Sequence, residues 1–118
     1  MNTRKKGAAY EQAAIEYLQR QGVAILERNY RNRRGEIDII GRDGAYTVFF
    51  EVKYRKDNAR GYPGEAVNYS KQRTICRVAD YYRMMHRMGD FVPVRYDVVA
   101  ICGEEITWYQ NAFEHIYQ

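Results

Sequence analysis

The sequence predicts a single α/β domain spanning 1–118, with a central mixed β-sheet flanked by helices. Three observations predict it. First, 118 residues of which 46% are hydrophobic are enough for one compact core and too few for two ordinary domains. Second, apolar residues recur at helical spacing in two segments and alternate as in strands elsewhere, in the order α-β-β-β-α-β-β. Third, a helix, a three-strand meander, a second helix and a return strand stack as a sheet with helices packed on it. A right-handed crossover through the second helix then sets the fourth strand parallel to a central neighbour.

The first helix is expected from about Ala8 to Gln21, closed by Gly22 in a left-handed cap. Its apolar positions include Tyr10, Ala13, Ala14, Ile15, Tyr17 and Leu18. Glu11 is out of character, because Ala14, Ile15 and Leu18 stand on its side of the helix. Such a carboxylate sits at the rim or points into a polar site. Val23 to Tyr30 reads as the first strand and Glu36–Ile40 as the second, closed by a turn at Gly41-Arg42-Asp43-Gly44. Ala45 to Tyr54, rich in aromatic and β-branched residues, is the third. Tyr54–Gly64 is polar and Gly-containing and reads as a loop. Pro63 and Glu65 suit the first turn of a helix reaching about Met88. Its stripe of Val67, Lys71, Ile75, Val78, Tyr82 and Met85 has Lys71 as the odd member. Pro93 to Cys102 is the fourth strand and Ile106 to Tyr109 the fifth, with Asn111–Gln118 an irregular or helical tail.

Composition removes several function classes. The longest apolar run, Val98 to Cys102, is too short to span a bilayer. The basic N-terminus is not followed by the apolar core of a signal peptide. Two isolated cysteines make neither a disulfide framework nor a cysteine-rich zinc site, and fit a reducing cytoplasm. His86 and His115 read as surface residues. No Gly-rich phosphate loop, nucleophile elbow or dinucleotide fingerprint is present. Charge is unevenly spread: residues 1–34 carry +5, 35–88 carry +3 and 89–118 carry −4, giving the net +4. A basic first two-thirds suggests a polyanionic partner. Arg28, Arg31, Arg33 and Arg34 fall close together, and the guanidinium fork suits phosphate. The bland alternative is a solvated basic loop. Some of the 12 tyrosines suit base stacking, although most pack with their hydroxyls wet.

The chemistry lies in the second and third strands. By alternation, Thr47, Phe49, Glu51 and Lys53 face one way and Tyr46, Val48, Phe50 and Val52 the other. Glu36, Asp38 and Ile40 share a face, opposite Ile37 and Ile39. Two carboxylates and an ammonium among Ile, Phe and Val are costly without a cation or partner. Mg²⁺ or Mn²⁺ rationalises them, being hard ions held by one or two carboxylates plus substrate phosphate. Asp38 and Glu51 supply the carboxylates, and Lys53 neutralises charge on phosphate or handles a proton. The bland alternative is an ion pair of Glu51 with Lys53 or an arginine. Asp97 reads as structural, pairing with Arg95 or a backbone donor, and stands outside this set.

Gly35-Glu36-Ile37-Asp38, followed thirteen residues on by Glu51-Val52-Lys53 after an aromatic run, resembles the D…(D/E)-x-K signature of the restriction-endonuclease-like nuclease fold. A helical Glu11 upstream and a helical Lys71 downstream are similar to features of the Holliday-junction resolvases. The whole chain resembles the YraN-like bacterial proteins. That match is carried by Gly7, Glu11 and Ala14; Arg28-Asn29-Tyr30; Gly35 to Asp38; Phe50 to Lys53 with Arg55; Pro63, Ala66-Val67 and Lys71; and Arg95 to Val99. Position 37 is Ile where the fold's name motif has Pro, and the Q-x-x-x-Y motif of the RecB-type branch is absent because Cys76 follows Gln72.

The resemblance implies an α-β-β-β-α-β nuclease core and a metal-dependent phosphodiesterase site. It implies Asp38 and Glu51 as ligands of Mg²⁺ or Mn²⁺, Lys53 as the catalytic lysine, and Glu11 orienting a water or a second ion. Arg28, Arg31, Arg33, Arg34, Arg55 and Lys71 are the expected nucleic-acid contacts. The expected function is a metal-dependent endonuclease on structured or branched DNA, with DNA favoured over RNA. The alternative is a nucleic-acid-binding module whose site is idle or completed by a partner. At this size, a second copy or a partner protein is expected to help position substrate.

Overall fold

The computed structural model describes residues 3–55 and 67–117. Pro63, Glu65 and the 56–64 part of the expected loop lie outside the described residues. Helix α1 (Thr3–Arg20) begins earlier than its apolar stripe suggested. It ends as expected: Gly22 adopts φ +95°, and the Val23 N–H donates to the Leu18 carbonyl at 3.0 Å. Strands β1 (Ala24–Asn32) and β2 (Gly35–Asp43) form an antiparallel hairpin whose turn is Arg33-Arg34. The Asn32 side chain accepts the Arg34 N–H at 2.8 Å, a local bond that favours the turn over further strand.

β2 runs through Gly41, where the sequence suggested a turn, and pairs with β3 (Tyr46–Arg55) across the two-residue loop Gly44-Ala45. Gly41 is a packing glycine: a Cβ there would lie 2.8 Å from Val23 Cγ1 and 3.2 Å from the Phe50 ring. Gly44, at φ +60°, is the one that turns the chain. Helix α2 (Tyr69–Met85) starts later than expected because Asn68 caps it, its side chain accepting the Lys71 N–H at 2.8 Å. β4 (Val94–Cys102) pairs in parallel with β3, continuously from Thr47↔Val94 to Arg55↔Cys102. β5 (Glu105–Phe113) lies antiparallel to β4 and consumes part of the segment expected to be tail. The sheet order is β1-β2-β3-β4-β5. Among the described residues, this α/β architecture, with one parallel pair inside an antiparallel sheet and two helices, is consistent with a restriction-endonuclease-like core.

Each helix covers one face. Ala14, Ile15 and Leu18 of α1 pack on Ile39, Val48, Phe50, Val99 and Ile101. Ile75, Val78, Ala79 and Tyr82 of α2 pack on Ile37, Ile40, Phe49, Tyr96 and Val98. Because the central strands are covered on both sides, an acid there needs donors. Asp97, 1% exposed, has them. Arg95 donates through Nε and Nη2, Trp108 through Nε1 at 2.8 Å and Asn111 through its main chain at 2.8 Å. The register break between Tyr96 and Val98, with Asn111 at φ +53°, bulges β5 so that this N–H reaches the carboxylate. Asp97 is therefore structural, as the sequence suggested. His115, expected at the surface, is instead half-buried. Its Nδ1 lies 2.6 Å from the Tyr96 hydroxyl and its Nε2 lies 3.3 Å from Asp80. Ile116 donates its N–H to the Cys76 sulfur at 3.4 Å, which docks the chain's end on α2.

Replacing Asp97 by Ala leaves two N–H donors unpaired and the buried Arg95 guanidinium with Asp43 as its remaining acid partner. Urea unfolding of Asp97→Ala should show a loss of about 3–5 kcal/mol; a loss below about 1 kcal/mol, the scale of a surface pair, contradicts this account.

Candidate functional site

The site grows from an interruption in the β2–β3 ladder. Pairing runs from Asp43↔Tyr46 to Ile39↔Phe50 and goes no further. At the next rung the Asp38 side chain substitutes for a main-chain acceptor: the Val52 N–H donates to Asp38 Oδ2 at 2.8 Å. Strand alternation breaks at the same point. Ile37 packs in the α2 cluster and Ile39 in the α1 cluster, so they do not share a face as strict alternation suggested. Asp38 occupies the parity change, where the two strands fork.

Glu51 faces this fork from β3. It is 7% exposed, and its Oε2 accepts no hydrogen bond among the described residues. Burial foremost, then a hydrogen bond shared with Asp38 and the Asp38 charge, push its carboxyl up to about 8, against the pull of Lys71 and Lys53. The ammonium within ion-pair distance is that of Lys71, whose Nζ lies 3.6 Å from Glu51 Oε2. Lys71 thus engages the acid from the first turn of α2. Lys53, two residues beyond Glu51, is half-buried and acts on Glu51 through its charge.

Glu11 approaches from α1. Burial raises its carboxyl, reinforced by the charges of Asp38 and Glu36 and opposed by Arg28 and a hydrogen bond from Asn29. Its Oε1 is buried without a hydrogen-bond partner among the described residues. Glu11, Gly7, Ala8, Arg28, Asn29, Arg31 and Glu36 line an open cleft of about 560 Å³. Arg28 is held by the Gln12 side-chain oxygen at 2.8 Å, and Arg31 pairs with Glu36 at 3.0 Å. Arg33 and Arg34 are exposed in the hairpin turn, and Arg55 is half-buried at the end of β3. Asn29 and Gln12 were not singled out as site residues by sequence reasoning. Asn29 sits at φ +50°, a conformation Asn tolerates better than most residues, and that is the signal that could have marked it.

The donor set is oxygen throughout, which suits a hard divalent ion. Asp38 and Glu51 are the pair that fits one: burial and the neighbouring Asp38 push the Glu51 carboxyl up, and its Oε2 accepts no hydrogen bond among the described residues. Among the described residues, no group of three or more His, Cys, Asp or Glu side chains is gathered as a ready metal cage. Glu11 belongs to the same electrostatic unit without standing as a third close ligand.

Comparison with known proteins adds kinship. The family described as "Uncharacterised protein family UPF0102" matches residues 10–101. A UPF0102 protein of Alkaliphilus oremlandii is 48% identical over 115 residues, covering 97% of this chain and 98% of that one. One from Lachnoclostridium phytofermentans is 46% identical over 114 residues, covering 97% of each. One from Fusobacterium nucleatum is 42% identical over 111 residues, covering 94% of this chain and 92% of its own.

The raised Glu51 carboxyl has a consequence for stability. The folded state binds this proton more tightly than the unfolded chain, so its contribution is complete below the ordinary glutamate value and is lost as pH rises through about 8. A tenfold difference in proton affinity between the two states is worth about 1.4 kcal/mol. Without divalent metal, urea unfolding between pH 5 and 8 should therefore show wild type losing a few kcal/mol more than Glu51→Gln. Parallel profiles for the two proteins would reject the buried-acid account.

Proposed function

This chain belongs to the UPF0102 family, and we propose that it is a divalent-metal-dependent endonuclease that hydrolyses phosphodiester bonds in structured or branched DNA, in the cytoplasm. The observation that carries this reading is the forked pair of Asp38 and Glu51, one acid filling a ladder position and the other buried with an orphaned oxygen. Asp38 and Glu51 would hold Mg²⁺ or Mn²⁺. When bound, such an ion supplies Lewis-acid polarisation of the phosphoryl group.

The protein's own groups do the rest. Lys71 keeps positive charge beside Glu51 and favours its ionised form. Lys53 presents an ammonium on the Glu51 face, suited to offset charge that builds on phosphate or to deliver a proton to a leaving oxygen. Glu11, with its raised carboxyl, suits a proton acceptor across the cleft. Arg28 and Arg31 set guanidinium groups along that cleft for the phosphate backbone, and Arg33, Arg34 and Arg55 extend the charge. These contacts position without reading sequence, which suits recognition by shape. Among the described residues no helix is long and apolar enough to cross a membrane.

Calorimetric Mn²⁺ titration and cleavage of branched and single-stranded DNA test the reading together. Asp38→Asn should weaken Mn²⁺ binding at least about 100-fold, more than the loss of an outer partner costs. Lys53→Met should retain Mn²⁺ binding and lower cleavage by about 10²–10⁴-fold, the scale of a proton-transfer group. Equal cleavage by wild type, Asp38→Ala and Glu51→Ala rejects the assignment. Steeply salt-dependent DNA binding with no cleavage and no effect of metal makes the protein a binding module instead.

A further inference from the structure

Tyr10 and Tyr54 bring a stacked ring pair to the edge of this site. Their centroids lie 4.0 Å apart with 15° between planes. Their hydroxyls share a hydrogen bond, the chief reason the Tyr10 phenol is pushed up to about 12. That bond holds the two rings parallel before any ligand arrives. The comparable parallel pair, Tyr96 and Phe113, is sealed in the core at 2% and 8% exposure. Tyr10 and Tyr54 each keep part of their surface in solvent.

Position ties the pair to the chemistry. Tyr10 directly precedes Glu11 on α1, and Tyr54 directly follows Lys53 on β3. Tyr54 is three residue rises from Glu51, about 10 Å along the strand. Lys53 and Arg55 flank it in sequence and, by strand alternation, direct their charge to the other face of β3. A closed duplex offers no base face to the ring pair, because each base is covered by its neighbours. An unpaired nucleotide does.

Resting on the nuclease reading, we propose that Tyr10 and Tyr54 form a preassembled stacking platform for an unpaired DNA base beside the scissile position. The platform makes the site select single-stranded or frayed DNA over closed duplex. The rings need no rearrangement to receive the base, so little ordering cost opposes binding.

The test is fluorescence anisotropy without divalent metal, using a short single-stranded oligonucleotide and the blunt duplex of the same sequence. Tyr54→Leu and Tyr10→Leu should weaken single-strand binding by about 5- to 100-fold, the range of one base–aromatic stack, and leave duplex binding unchanged. Tyr54→Phe keeps the ring but loses the hydroxyl bond, and should lose less single-strand binding than Tyr54→Leu. A 2-aminopurine base in the single strand should be quenched on binding wild type, a readout that needs no variant. Equal losses on both DNA forms, no loss on either, or no 2-aminopurine quenching overturn the platform and leave the nuclease reading standing. The equal-loss outcome is what a ring pair serving only to fasten α1 to β3 produces. Wild type that binds no DNA of either form overturns both.

Discussion

The hydrogen bond from the Val52 N–H to Asp38 Oδ2 is the constraint from which the site follows. Had β2 continued in register, its main chain would have served β3 and its side chains would have kept strict alternation. A carboxylate in that position ends the ladder one step past Ile39↔Phe50 and lets the strands part without leaving an N–H orphaned. It also fixes Asp38 by one oxygen, so the carboxyl is oriented before any ligand binds. The opening then lies beside the innermost strand of the sheet, where Glu51 has little water to turn to.

The surrounding architecture keeps that opening in place. β3 is held along its other edge by the parallel ladder to β4, unbroken through Arg55↔Cys102, so β3 does not follow β2 at the fork. The helices clamp the sheet from opposite sides, and each contributes one charged residue near the opening. Glu11 comes from α1, and Lys71 comes from the capped first turn of α2. Because Asn68 caps α2, Lys71 lies in the turn whose main chain Asn68 secures. The cap thereby sets the position of the ammonium beside Glu51.

Much of this was legible in residue order. The helix–meander–helix–strand pattern and the parallel return strand follow from periodicity and crossover handedness. The E-x-K spacing put Glu51 and Lys53 on one face, and the misfit of Glu11 on an apolar stripe left it either at the rim or pointing into a polar site. The fork was not legible, because alternation assumes a continuous ladder and nothing in Glu36-Ile37-Asp38-Ile39 announces that a side chain will replace a main-chain acceptor. Gly41 looked like a turn because its role, making room for Val23, depends on a residue distant in the sheet. Lys71 as the partner of Glu51, the Tyr10–Tyr54 stack and the burial of His115 likewise depend on contacts between elements far apart in the chain.

Two acids in adjacent strands show why the site is more than a buried charge that folding tolerates. Asp97 pairs in register with Phe50, and Glu51 with Val98, so the acids are near neighbours on opposite faces of one sheet. Both are buried. Asp97 is surrounded by a guanidinium, an indole N–H and a main-chain N–H, and β5 bulges to supply the last of these. Glu51 has a second acid and a lysine 3.6 Å from its Oε2, an oxygen that accepts no hydrogen bond among the described residues. The fold can therefore build a complete donor shell around a buried carboxylate and does so one position away. Around Glu51 it supplies an acceptor where a donor would stabilise, which raises the carboxyl instead of stabilising its charge. Under the proposed function, a divalent cation held by Asp38 and Glu51 would offset this arrangement by supplying the missing positive charge. The proposed chemistry of the site and its cost in stability come from the same pair of carboxylates.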